Sequence, residues 1–242
     1  MINFFVQLLL LLNKTLFNNL GLTIIVIGGF TRLAVWPLFK AQLKHTKLMS
    51  DLKPKLDEIK KKYKGDQKRQ LAEQSKLLKS HGTNPLGGCL PIIVQTAVFI
   101  LLYQVLFRLL KMNVNTQFLL WDLAKPDTTH IQQLPIALPG VLVILTAILT
   151  FVQSKMLLPP AATKPTLGRK GAGTQDFAEA LQASSGQMVY LTPLIMLYFG
   201  TILASGLTLY WLVSTFFGII QQYIIGGAGG LKPWLAKIPQ RK

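Results

Sequence analysis

A single arginine interrupts an otherwise apolar stretch of this chain. Residues 20–39 read LGLTIIVIGGFTRLAVWPLF, and Arg32 is the only charge among them. A guanidinium in hydrocarbon costs at least about 2.5–3.5 kcal/mol on insertion scales, so helices that keep one usually turn it toward a hydrated cavity or a polar partner. Arg32 also lies eight residues before Lys40, where a basic segment begins, about 12 Å inside that boundary. A long side chain snorkels part of such a distance, so both readings stand at this point. Gly28, Gly29 and Pro37 predict a bend that would help water reach that depth. Elsewhere the apolar stretches hold Gln95, Gln153, Tyr210, Trp211, Gln221 and Gln222. Each Gln either bonds a neighbouring helix or joins Arg32 in a polar cavity. Such a set attracts and solvates acidic or polar peptide segments but has no means of making or breaking bonds.

Enzyme templates fail. There is no H-E-x-x-H, no G-x-S-x-G and no phosphate-cradling glycine loop, and His45, His81 and His130 are scattered. No catalytic residue, metal site or cofactor is expected. The predicted spans contain no acidic residue, which argues against an ion-coupled transporter. An anion channel or solute carrier using Arg32 as a binding site is the alternative in another class; it calls for inverted repeats or a pore through both leaflets, and no repeat is visible.

Half the 242 residues are hydrophobic and only 14 % are charged, with a mean hydropathy of +0.40. That composition predicts an all-α integral membrane protein. The net charge of +17 is unevenly placed. Thirteen basic residues fall between positions 40 and 79 and four between 232 and 242, whereas 111–135 holds only Lys111 and Lys125, against Asp122 and Asp127. The positive-inside bias puts the first two regions in the cytoplasm and the third outside. The basic charge also suits anionic lipids and leaves a polyanion such as a ribosome open as a partner. The lone Cys89 cannot form a disulfide within the chain and reads as a small buried hydrophobe.

Five transmembrane helices are therefore expected, with the N-terminus outside and the C-terminus inside. Residues 1–19 read as an outer interfacial helix, retained because no basic start or small-residue cleavage site marks a signal peptide. The spans are 20–39, 85–110, 138–158, 187–203 and 206–225. Residues 111–137 form an external loop, 159–186 a cytoplasmic loop and 226–242 a basic cytoplasmic tail. Between the first two spans, 40–83 form a cytoplasmic helical hairpin. Leu43, Leu48, Leu52, Leu56, Ile59 and Tyr63 recur at helical spacing, Gly65-Asp66 breaks the pattern, and Leu71, Leu77 and Leu78 mark a second helix ending at Gly82. Its lysines, Lys60, Lys61, Lys62 and Lys64 above all, read either as a solvated face or as a recruitment surface.

The ordered motifs TRLAVWPLFKAQ (31–42), NPLGGCLPIIVQ (84–95), QSKM (153–156), SGLTLYW (205–211) and IIQQY (219–223) resemble the YidC/Oxa/Alb family of membrane-protein insertases over nearly the whole chain. The resemblance implies a hydrated groove in the cytoplasmic half of the membrane, with Arg32, Gln95, Phe99, Gln153 and Trp211 lining it. It further implies a chaperone-like protein of the bacterial plasma membrane, multi-pass and of minimal form, working on nascent membrane proteins with the ribosome and the Sec translocon as partners. One turn before the arginine, where the family often has threonine, stands Gly28. The polar contact to Arg32 is then expected from Thr31 or water.

Overall fold

The computed structural model describes residues 2–82, 90–112, 114–129, 138–157 and 177–231. Cys89, residues 130–137 with His130, the connector from 158 to 176 and the basic tail from 232 lie outside the described residues. The chain divides into two units: Met1–Ala34 with Phe99–Lys242, and Val35–Val98.

In the first unit, α1 (Ile2–Thr15) and α2 (Leu20–Ala34) meet at an angle of 118°. The bend is written into the backbone, because Phe17 and Asn18 take left-handed φ values of 59° and 54°, which non-glycine residues rarely adopt. The Asn19 side chain then accepts the Leu22 N–H at 3.1 Å, capping α2. Across the bend the buried Thr23 hydroxyl donates to Asn13 Oδ1 at 3.1 Å. At its other end α2 stops short of the predicted Phe39. Pro37 has no N–H to offer the carbonyl four residues back, so the helix closes at Ala34 and α3 (Trp36–Lys62) starts afresh in the second unit.

That second unit contains the hairpin. α3 and α4 (Gln67–Ser80) are joined by a turn in which Gly65 has φ +104°, a conformation suited to glycine. Asp66 accepts the Arg69 N–H at 3.1 Å and caps α4. The two helices close on Leu52, Leu56 and Leu78, with Leu48, Met49 and Leu77 packed beside them. Leu71, expected in the same stripe, is exposed: the contact is confined to the C-terminal end of α4. The first residues of α5 (Leu90–Leu110) also belong here.

The rest of the first unit is α5 from Phe99, α6 (Val141–Leu157), α7 (Phe177–Gly200) and α8 (Ser205–Gly226). α8 packs on α2 and α6, and α6 on α7. α7 begins ten residues before the expected span, because FAEALQASSG is rich in strong helix formers such as Ala, Glu, Leu and Gln. Among the described residues α8 alone is a single helix long and apolar enough to cross a bilayer; α1 and α2 reach that length only as a bent pair, and Val94–Leu109, Val141–Leu157 and Val189–Gly200 are shorter apolar stretches.

The region between α5 and α6 holds structure that the sequence did not announce. β1 (Gln117–Phe118) pairs antiparallel with β2 (Trp121–Asp122), and β3 (Thr128–Thr129) with β4 (Leu138–Pro139). This loop closes one end of the helices. Asp127 Oδ2 accepts the Leu142 N–H at 2.7 Å, at the start of α6, while its Oδ1 accepts from Trp121 Nε1 at 3.1 Å. Lys125 O and Leu123 O accept the first N–H groups of α8, from Ser205 at 2.8 Å and Gly206 at 3.1 Å.

Polarity in this unit is inverted relative to a water-soluble bundle. Buried side chains include Thr23, Thr146, Thr150, Ser205, Thr208, Ser214, Thr215, Gln221 and Gln222. Exposed ones include Leu22, Val26, Phe30 and Leu33 on α2, Ile144, Leu145 and Ile148 on α6, and Leu194, Ile195 and Tyr198 on α7. Apolar surface of that extent suits a lipid solvent.

Candidate functional site

The site is built on one face of α8. Trp211, Ser214, Gly218 and Gln221 follow each other at three- and four-residue spacing, which stacks them on a single helical stripe. Arg32 on α2 meets this stripe with both its side chain and its backbone. Its Nε donates to the Ser214 hydroxyl at 2.8 Å. Its carbonyl accepts from Gln221 Nε2 at 2.9 Å. On the preceding residue, Thr31 Oγ1 donates to Gly28 O at 3.0 Å and lies 3.5 Å from the Tyr210 hydroxyl. Ser214 is thus a polar contact to Arg32 that the sequence reading did not name. Gly28 carries no side chain because Val213 and Tyr210 occupy that space: a Cβ there would sit 2.9 Å from Val213 Cγ1.

Gln153 arrives from α6. A Cβ placed on Gly218 would overlap the Gln153 amide nitrogen and come within 3.1 Å of both Cζ and Nη2 of Arg32. The amide and the guanidinium therefore bear on the same bare patch of α8. Two turns toward the α8 N-terminus, Trp211 meets Phe99 of α5 edge-on, with ring centroids 5.6 Å apart. The structure thus gathers Arg32, Gln153, Phe99 and Trp211 along one stripe. Gln95 belongs to the Val35–Val98 unit, where it is exposed.

The α8 members Ser214, Gly218, Gln221 and Gln222 are buried, while Arg32, Phe99, Gln153 and Trp211 are half-buried, and the polar groups are incompletely satisfied. Gln221 and Gln222 are each 2 % exposed, and their side-chain oxygens have no hydrogen-bond donor among the described residues. Buried amide oxygens ordinarily find a partner, so the site suits water or a polar guest. Lys155, also in the QSKM motif, is buried at the last turn of α6. Reading the sequence alone missed Ser214, Gly218 and Lys155. The signal for the first two was their register with Trp211 and Gln221. Among the described residues no cluster of His, Cys, Asp or Glu could hold a metal.

An opening of about 360 Å³ lies at the other end of α8, lined by Tyr103, Phe107, Lys111, Ile202, Leu203 and Leu207 among others. It is mostly apolar and holds none of the cluster residues. In the second unit, Lys61, Lys62 and Lys64 are exposed and Lys60 is half-buried at the end of α3. Lys62 lies 5.6 Å from the Tyr63 ring centre.

The family pattern described as 60Kd inner membrane protein matches residues 12–228, a stretch that contains every residue of this cluster. The chain belongs to that family. It is similar to Membrane protein insertase YidC 2 of Bacillus anthracis, 32 % identical over 214 residues that cover 87 % of this chain and 73 % of that protein. Membrane protein insertase YidC of Fusobacterium nucleatum is 33 % identical over 208 residues, 86 % of either chain. The relative of the same name from Wigglesworthia glossinidia brevipalpis is 34 % identical over 227 residues, and there this chain spans 36 % of the relative's length. Family members thus differ widely in what they carry outside the shared region.

Proposed function

We propose that this protein is a membrane-protein insertase, acting without enzymatic chemistry, which passes short polar segments of nascent membrane proteins along the Arg32 cluster and releases their helices into lipid. The observation that carries this reading is a guanidinium held by Ser214 and set beside the Gln153 amide inside a bundle whose outer surface is apolar. Moving a polar segment through intact hydrocarbon leaves each of its groups unsolvated at several kcal/mol apiece. A hydrated groove shortens that barrier, and the Arg32 charge attracts acidic residues in the passing segment. Burial of the cargo helix in lipid supplies the driving free energy, so no nucleotide or cofactor is needed.

In this reading α2, α5, α6, α7 and α8 each cross the plasma membrane, with the N-terminus outside. The charge asymmetry supports this orientation. The 114–129 loop, which caps α6 and α8, then seals the outer end, and the cluster faces the cytoplasmic half. α1, turned 118° from α2, lies in the outer interface. The hairpin lysines Lys60, Lys61, Lys62 and Lys64 recruit cargo, ribosomes, the Sec translocon or anionic lipid from the cytoplasm.

The test is reconstitution of the purified protein in liposomes with a single-span substrate whose translocated segment is acidic. Insertion above protein-free liposomes is expected, lost in Arg32→Ala and largely kept in Arg32→Lys, whose ammonium keeps the positive charge and a donor for Ser214. Anion flux without insertion would instead favour a channel.

A further inference from the structure

Gly218 stands in the middle of α8, where alanine is the better helix former. The local sequence therefore forgoes helix propensity at this position. The position is packed: Gln153 Nε2 and the Arg32 guanidinium crowd the space that a Cβ would take there. Four residues before it, on the same stripe, Ser214 takes the Arg32 Nε–H. Three residues after it, Gln221 holds the Arg32 carbonyl, close to the break that Pro37 imposes beyond Ala34. Arg32 is thus fixed at two points, and the guanidinium plane lies against α8 only because no side chain intervenes between them.

We propose that Gly218 is a positioning residue that sets the depth and orientation of the Arg32 guanidinium, with Ser214 and Gln221 as its clamps, and so determines how strongly the site favours acidic cargo. This rests on the reading of Arg32 as the cargo-facing charge. A methyl at 218 meets the far end of two flexible side chains and no backbone. The fold accommodates it by moving the Gln153 amide aside and displacing the guanidinium by a few tenths of an ångström, which weakens the Arg32–Ser214 bond. Stability and function then separate: the helix gains a residue it prefers, and the site loses its geometry.

The experiment compares wild type, Gly218→Ala and Arg32→Ala in liposomes, each with two single-span cargoes that differ only in an acidic or a neutral translocated segment. Thermal unfolding in detergent is measured beside insertion. Gly218→Ala should unfold at the wild-type temperature or above and lose roughly tenfold with the acidic cargo, as for one charge-assisted hydrogen bond, with a clearly smaller loss for the neutral one. Acidic-cargo insertion equal to wild type in Gly218→Ala, with Arg32→Ala defective, overturns the proposal alone. Wild-type insertion by Arg32→Ala overturns the reading beneath it as well. Equal losses on both cargoes also overturn it, since a merely structural role would produce them. Should Gly218→Ala fail to accumulate, Ser214→Ala and Ser214→Thr decide: loss of acidic cargo in the first and recovery in the second, where the hydroxyl returns, support the proposal, and any other pattern overturns it.

Discussion

Asp127 organises more structure than its place in a loop suggests. One carboxylate oxygen takes the Leu142 N–H at 2.7 Å and the Val143 N–H at 3.3 Å, and the other takes the Trp121 indole. The first turn of α6 offers these N–H groups and the positive end of its dipole, so the charge is stabilising there. Asp127→Ala should cost about 1–2 kcal/mol, the range of a lost cap, read as a lower unfolding temperature in detergent. Asp122 behaves differently. The Thr116 hydroxyl, at 2.7 Å, holds its carboxyl below the ordinary range, helped by the Ala124 N–H and by Lys125. A carboxyl whose folded pKa is depressed contributes stability that is present above its unfolded pKa and lost as the pH falls through the folded one. Unfolding temperature should therefore drop on acidification below about pH 4, and the drop should be smaller in Asp122→Asn. Among the site residues, Arg32 and Gln153 were legible because charge and amide are conspicuous in apolar surroundings. Ser214 and Gly218 were not, since a small residue in a membrane-length helix is ordinary until its neighbours are known.

At the scale of elements, the breaks were easier to read than the lengths. Pro37 predicts a bend, and within 20–39 the helix breaks between Ala34 and Trp36. Gly65 and Gly82 punctuated the hairpin as expected, both at positive φ. The short strands were illegible because their turn carries Leu119-Leu120 and not the Asn-Gly or Asp-Gly of a typical two-residue turn. Leu119 nonetheless takes φ 53°, and the surrounding loop enforces it. The hairpin of α3 and α4 closes on a few leucines, with much of its charged surface exposed, so its amides should exchange faster than those of α6 and α8. Hydrogen exchange as slow in 40–80 as in α8 would contradict that stability order. Removing residues 50–80 should lower insertion if the lysine-bearing hairpin recruits cargo, and unchanged insertion would show that it does not.

For the molecule as a whole, the account requires two unlike ends. One is closed by the loop of Leu123, Lys125 and Asp127 over α6 and α8; the other carries the polar stripe of Ser214, Gly218 and Gln221 with Arg32. Charge bias assigns the first to the outside. A cysteine at Gln67 should then react only with reagent on the cytoplasmic side and one at Thr129 only with reagent outside; labelling of position 67 from outside would reverse the orientation. The central claim is that cargo passes beside the arginine cluster and not through the sealed end. A photoreactive residue at Gln153, with a second variant carrying it at Leu123, tests this directly on stalled nascent chains of a single-span protein. The account predicts crosslinks from position 153 to the polar segment of the cargo and none from position 123. Absence of crosslinks from 153, or equal crosslinking from both positions, would contradict it.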